Sequence, residues 1–183
     1  MLDGFSRRTV LAGAASLVVV RPALAHTPYR QWDVYRRKHL LVGTCRADPR
    51  SYPLGKRLVS ILAANLPDSK ARVTRAPDQT RLASLVTTGQ LELVLLQFSE
   101  AVALTVGQAP FAEFGPYPLR LVFDVDGYAL VCGEEFPDRH AWLVTRALAD
   151  QLPVSESLVA SGEPELAVHD GSRAFITGGP QPD

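Results

Sequence analysis

The chain has 183 residues, of which 19 are basic, 19 are acidic and 46% are hydrophobic, so its formal net charge is zero. This length is enough for one domain with a substantial core. No basic stripe with interleaved aromatic side chains is present, which argues against a nucleic-acid partner.

The first 25 residues predict an export signal. A twin-arginine pattern, SRRTVL, lies at 6–11, an apolar stretch follows at 9–20, and the cleavage pattern ALA lies at 23–25. We therefore expect a twin-arginine signal peptide over 1–25, cleavage after Ala25 and a periplasmic location. The alternative is an uncleaved anchor. No later segment is apolar over enough residues to predict stable membrane insertion.

Segment 26–38, HTPYRQWDVYRRK, is basic and aromatic and is too short to form a domain. We interpret it as an N-terminal arm whose aromatic residues Tyr29, Trp32 and Tyr35 pack on the domain or on a partner. Cleavage after Ala25 would leave 158 residues with 16 basic and 18 acidic side chains.

A buried strand, a loop and an amphipathic helix are predicted over 40–66. The apolar run 40–42 is typical of a strand inside a parallel sheet, and Gly43 and Thr44 are expected to end it. Ser51 and Pro53 suit a helix start, and apolar residues then recur at helical spacing. If a small-molecule site exists, we expect it at 43–55, where a strand meets a helix N-terminus.

Two further strand–helix units follow. Strands are predicted at 71–75 and 91–96, and each precedes a helix, with Thr80 and Ser99 as candidate caps. Three such units in a row predict parallel strands with right-handed crossovers.

The second half of the chain predicts a hairpin and a long helix. Asp126-Gly127 separates apolar runs at 119–125 and 128–132, the helix covers about 138–152, and weaker signals lie at 166–168 and 171–176. The expected fold class is α/β, a three-layer sandwich with a mostly parallel sheet and one antiparallel hairpin. We expect one domain over 39–176 and a disordered tail over 177–183.

The two cysteines, Cys45 and Cys132, lie at or just past the ends of predicted strands. In an oxidising compartment they would pair only if those strand ends were within about 7 Å of each other. Both the paired and the unpaired state remain open at this point.

Motifs for catalysis, cofactors and metals are absent from the sequence. It has no G-x-S-x-G, P-loop, dinucleotide fingerprint, C-x-x-C or H-E-x-x-H pattern. Glu134 and Glu135 precede a helix and are expected to favour its dipole. We therefore predict a protein that is not an enzyme and needs no cofactor or metal.

Three loops, at 43–53, 75–80 and 97–100, should open at one edge of the sheet because they follow parallel strands. Their hydroxyl and amide side chains predict a site for an anion, and the alternative is that they are ordinary helix caps. The residues concerned are Thr44, Ser51, Tyr52, Gln79, Thr80, Gln97 and Ser99.

Several motifs resemble the TAXI family, the periplasmic solute-binding receptors of tripartite ATP-independent periplasmic (TRAP) transporters. They are Gly43-Thr44 followed by Tyr52-Pro53-Leu54-Gly55, then 85–93 with 97–99, then Glu135-Phe136-Pro137-Asp138 and His169-Asp170-Gly171-Ser172. The resemblance implies the fold of one lobe of a type II periplasmic binding protein. It also implies a small organic anion, such as a carboxylate, as ligand.

The chain departs from that family in two ways. The second lobe is missing, because the strand that resembles the exit to it runs within a few residues into the strand that resembles the return. The family's glycine-rich loop is replaced by 45–50, where Arg46 or Arg50 could hold a carboxylate and Asp48 could instead fill the site. We therefore expect a non-enzymatic, solute-binding-like protein of a TRAP-type uptake system. The alternative is an accessory protein that docks on a periplasmic protein partner, either an exported enzyme or a transporter component, and has lost the ancestral ligand site.

Overall fold

A computed structural model describes residues 39–159 and 166–183. The predicted signal peptide over 1–25 and the arm over 26–38 lie outside the described residues, and so does segment 160–165. The export signal, its cleavage and the packing of the arm therefore stay predictions.

Strands and helices alternate through the first half of the described chain, and a hairpin and further helices follow. The strands are β1 (Leu41–Cys45), β2 (Arg72–Ala76), β3 (Leu93–Gln97), β4 (Arg120–Val125) and β5 (Tyr128–Cys132). The helices are α1 (Ser51–Asn65), α2 (Gln79–Thr87), α3 (Phe98–Val106), α4 (Asp138–Ala149), α5 (Glu156–Val159) and α6 (Asp170–Ile176). Short 3-10 turns lie at Pro67–Ser69 and Ala112–Phe114.

The five strands form one mixed sheet in the order β2-β1-β3-β5-β4. Strand β1 pairs in parallel with β2 and β3, whereas β5 pairs antiparallel with both β3 and β4. The α/β fold class, the parallel strands and the antiparallel hairpin are confirmed. Segment 166–168, which carries only a weak signal in the sequence, forms a parallel bridge to β4 through Val168 and Leu121.

The β4–β5 hairpin turns at the two residues that the sequence indicated. Asp126 and Gly127 have φ values of 53° and 81°. Positive φ at both central positions is the requirement of a type I′ turn, whose twist matches that of the flanking strands. The turn therefore brings the first residue of β5 to the edge of the sheet where β3 ends.

Helices pack on both faces of the sheet. Successive residues of a strand point to opposite faces. A Cβ atom on Gly43 would meet Leu82 of α2 at 2.7 Å, whereas the side chain of the next residue, Thr44, packs against Gly55 of α1. Helices α1 and α2 therefore cover opposite faces, as right-handed crossovers require.

Some predicted bounds were wrong by a few residues. Strand β1 continues through Gly43 and Thr44 to Cys45, and all five of its residues are buried. Strand β3 begins at Leu93 rather than at 91, because the Leu91 N–H bonds to the carbonyl of Leu85 at the end of α2. Helix α4 ends at Ala149 rather than at 152.

The sheet topology separates the two cysteines. Cys45 ends β1, whereas Cys132 ends β5, which runs in the opposite direction. Cys132 pairs with Leu93 at the start of β3, and Leu93 pairs with Val42. The two thiols therefore lie toward opposite edges of the sheet, and both are free and buried.

The C-terminal residues hold α6 against α4. The Ser172 hydroxyl lies 2.8 Å from the Thr145 hydroxyl, which also donates to the carbonyl of Val122 over 3.1 Å. A Cβ atom on Gly171 would overlap the backbone carbonyl of Asp138. Segment 177–183 forms no helix or strand, although the Gly179 N–H bonds to the Ala174 carbonyl over 2.7 Å.

Candidate functional site

The three predicted loops meet at one edge of the sheet, because β1, β2 and β3 are parallel and end there. The loop from β1 to α1 covers 46–50, β2 passes to α2 through 77–78, and β3 passes directly into α3. The first residue of β5 also lies at this edge, since Tyr128 pairs with Gln97. We call this the carboxyl edge.

A carboxylate of the chain itself occupies the middle of the carboxyl edge. Asp48 is only 8% exposed. Its Oδ1 atom accepts a 2.9 Å hydrogen bond from the backbone N–H of Arg50, and its Oδ2 atom accepts a 2.6 Å hydrogen bond from the Tyr128 hydroxyl. Asp48 therefore folds the loop inward and uses two donors that an anion from solution would need.

Tyr128 is a residue of this edge that the sequence analysis missed. Burial and the hydrogen bond to Asp48 raise the pKa of Tyr128 to about 12. Its phenol therefore remains a donor at neutral pH. The available signal was the Asp126-Gly127 turn, which returns β5 antiparallel and so carries its first residue to the end of β3.

Glu100 adds a second carboxylate to the same edge. It accepts a 3.1 Å hydrogen bond from the backbone N–H of Gln97 and thereby caps α3. Its burial raises the pKa of Glu100, the negative charge of Asp48 raises it further, and the bonds to Gln97 and Gln79 oppose this. The interior of the carboxyl edge is consequently rich in negative charge.

The predicted hydroxyl groups bind the chain's own backbone or face solvent. The Thr44 hydroxyl donates to the carbonyl of Thr74 over 2.7 Å, and that of Ser51 accepts from the N–H of Cys45 over 3.0 Å. Thr80 and Ser99 lie in the first turns of α2 and α3 and are exposed.

The predicted cap residues were wrong. Ser51 is the first residue of α1 and caps no helix amide. Asp78 rather than Thr80 caps α2, where it accepts from the N–H of Arg81 over 2.7 Å. Gln97 is the cap residue of α3 in place of Ser99.

Five exposed cationic side chains lie on or next to the elements that form the carboxyl edge. The Arg75 guanidinium lies 4.4 Å from the ring centroid of Tyr52, and that of Arg50 lies 5.7 Å from the ring of Tyr128. Arg57 lies 3.8 Å from the carboxylate of Asp126 at the hairpin turn. We define the basic rim as Arg46, Arg50, Lys56, Arg57 and Arg75.

Other side chains that could act in catalysis or bind a ligand instead make structural contacts. His169 is buried, its Nε2 atom lies 2.8 Å from the carbonyl of Phe136, and its Nδ1 atom accepts from the N–H of Gly171. Glu134, expected to act on a helix dipole, instead pairs with Arg120 over 2.6 Å.

Within 39–159 and 166–183, no group of three or more His, Cys, Asp or Glu residues is arranged to hold a metal ion. Over the same two stretches, no helix combines the length and apolar character that a membrane crossing requires.

No protein-family model matches the chain, and no curated protein matches it significantly.

Proposed function

We propose that this protein is a non-catalytic docking protein. In its carboxyl edge, the position that a bound ligand would take is filled by its own Asp48. The protein is exported to the periplasm and contacts an acidic surface of a partner protein through the basic rim. The observation that carries this proposal is the burial of Asp48 with its hydrogen bonds to Tyr128 and Arg50.

A free carboxylate would bind poorly inside the carboxyl edge. It would compete with Asp48 for the Tyr128 hydroxyl and for the N–H of Arg50, and Asp48 is already held there by the chain. It would also approach Glu100 and Asp48 in a partly desolvated setting, where like charges repel strongly. The competition and the repulsion both disfavour an anionic ligand.

The basic rim, in contrast to the interior of the carboxyl edge, favours a negatively charged partner. Its five cations are exposed, Lys56 and Arg75 both lie over the ring of Tyr52, and Arg57 lies 3.8 Å from the carboxylate of Asp126. Such a surface steers an acidic partner toward it and fixes the orientation of docking. Arginine next to aromatic rings, as at Arg75 and Tyr52, is also typical of residues that anchor protein interfaces.

The resemblance to TAXI receptors supports the view that the docking surface derives from the ligand-binding edge of a receptor lobe. Tyr52 and Gly55 of the Y-P-x-G motif are the second and fifth residues of α1, which begins at the carboxyl edge. The strands that resemble the exit to a second lobe and the return from it are β4 and β5, and a two-residue turn joins them. A receptor lobe that has lost its partner lobe leaves this edge open to another protein.

Native mass spectrometry of the protein recovered from its own periplasm tests the proposal. The variants are Arg46→Glu with Arg50→Glu, and the control Arg139→Glu, an exposed residue of α4. We expect a defined complex with a second protein in the wild type and in the control, and its loss in the rim variant. Recovery of the wild type as a single chain without adducts would overturn the proposal.

A second function, binding of a small organic anion, is favoured by the positions of Arg50 and Arg75 beside aromatic rings at the same edge. It predicts a single chain with a small adduct in the same spectrum. It also predicts a rise in melting temperature with simple carboxylates that Arg50→Ala and Arg75→Ala abolish. The docking proposal predicts no such rise in the wild type.

A further inference from the structure

A groove opens at the opposite, amino-terminal edge of the sheet. Its volume is about 490 Å³, and it lies between the start of β1, the end of α1, the start of β3 and the first half of α4. The Leu40, Leu143 and Val144 side chains contribute apolar surface to its lining. Val144 is buried and the two leucines are half-buried, so the groove exposes apolar area to solvent.

The rim of this groove carries acidic groups. Asp68, in the 3-10 turn after α1, and Glu92, just before β3, both line it and are exposed. A segment that fits the groove should therefore combine apolar or aromatic side chains with positive charge.

Segment 26–38 of the same chain has this composition. It lies outside the described residues and contains Tyr29, Trp32 and Tyr35, together with four basic residues and one acidic residue. It is joined directly to His39, which lines the groove. Trp32 precedes His39 by seven residues, a span of up to about 24 Å when extended.

We propose that the groove at 39–40, 65–69, 92 and 140–144 is the docking site of segment 26–38 of the same chain. The aromatic side chains cover the apolar lining, and the basic side chains lie against Asp68 and Glu92. Because the segment is tethered at the groove, its effective concentration there is in the millimolar range or above, about as for a short flexible linker. Modest contact energies are then sufficient for occupancy.

Trp32 supplies the probe for a test on the chain with segment 26–38 intact. The sequence has two tryptophans, so Trp142→Phe leaves Trp32 as the single one. Acrylamide quenching of its fluorescence is compared between this parent and two groove variants. One groove variant carries Asp68→Lys and Glu92→Lys, and the other carries Leu143→Ser in the apolar lining. The matched control is Glu113→Lys, an exposed acidic residue outside the groove.

We expect severalfold slower quenching of Trp32 in the parent and in the control than in either groove variant. Raised salt should weaken the protection, since exposed charge pairs are screened. Equal quenching in all four proteins would overturn the proposal. Protection that disappears on dilution would also overturn it, because the segment would then occupy a second copy of the chain. Far-ultraviolet circular dichroism verifies that each variant is folded.

Discussion

The Tyr128 hydroxyl donates a 2.6 Å hydrogen bond to the Oδ2 atom of Asp48, which lies 80 positions earlier in the chain. This bond ties the loop after β1 to the first residue of β5. The loop conformation at the carboxyl edge therefore depends on the hairpin, although the two elements are remote in sequence.

Removal of the Tyr128 hydroxyl group should destabilise the fold. Tyr128→Phe leaves the buried Asp48 carboxylate without its closest donor, and we expect a loss of about 1–3 kcal/mol in the free energy of unfolding. Urea denaturation measures this loss. The control is Tyr117→Phe, whose half-buried hydroxyl makes a longer 3.3 Å bond to the Val86 carbonyl and should cost less. Equal losses for the two variants would contradict the importance of the Asp48 contact.

The Tyr128–Asp48 contact also predicts loss of stability at high pH. The pKa of Tyr128 is raised from 10.0 to about 12 in the folded protein, so the unfolded chain releases this proton first. The stabilisation is complete below pH 10 and is lost as the pH rises toward 12. Between pH 9 and 11 the free energy of unfolding should fall by about 1 kcal/mol more in the wild type than in Tyr128→Phe. Burial also raises the pKa of Cys132, but its effect is common to both proteins. Parallel pH profiles would contradict this assignment.

Neutralising Glu100 should not weaken the protein at neutral pH. Because the pKa of Glu100 is raised in the fold, its stabilising contribution is present below its unfolded pKa and is lost as the pH rises through the folded one. Glu100→Gln keeps an acceptor for the Gln97 N–H but removes the charge near Asp48. We expect thermal denaturation to show a variant at least as stable as the wild type at pH 7, with a smaller advantage at pH 4.

Glu100→Ala is the matched comparison for this prediction. It removes both the charge and the cap, and losing a helix cap costs about 1 kcal/mol. A Glu100→Gln variant that is as unstable as Glu100→Ala at pH 7 would show that the negative charge itself stabilises the edge.

The close contact of α6 with α4 predicts a sensitive glycine. In Gly171→Ala the new methyl group would overlap the Asp138 carbonyl, which is backbone and cannot rotate away. We expect a loss of about 2–3 kcal/mol, in the upper range for overpacked sites. Asp170→Ala, a change at an exposed neighbour, is the control in a urea titration. A stable Gly171→Ala protein would show that the two helices can separate without cost.

The sheet topology predicts that the cysteines do not form a disulfide within the fold. Both thiols are buried, and they lie toward opposite edges of the sheet. Alkylation followed by mass spectrometry should label neither in the native protein and both after denaturation without a reductant. Mild oxidation should leave this pattern unchanged. A mass lower by two hydrogens and no labelling after denaturation would contradict the topology.

Local patterns in the sequence were sufficient to predict the strand–helix alternation, the hairpin and the parallel arrangement of β1, β2 and β3. These features depend on periodicity and on turn residues within a few positions, as at Asp126 and Gly127. Cap residues were harder to predict, because a shift of one or two residues in a helix start reassigns them. Ser51 and Ser99 therefore proved to lie inside their helices, whereas Asp78 is a cap.

The sequence by itself thus determined the α/β class and the edge at which its loops meet, because hydrophobic spacing and turn chemistry are local properties. Only the tertiary structure decided what occupies that edge. Whether Asp48 points inward depends on Tyr128, which approaches it through sheet pairing across a long sequence separation. The groove at the opposite edge is likewise formed by four elements that meet only in the folded chain.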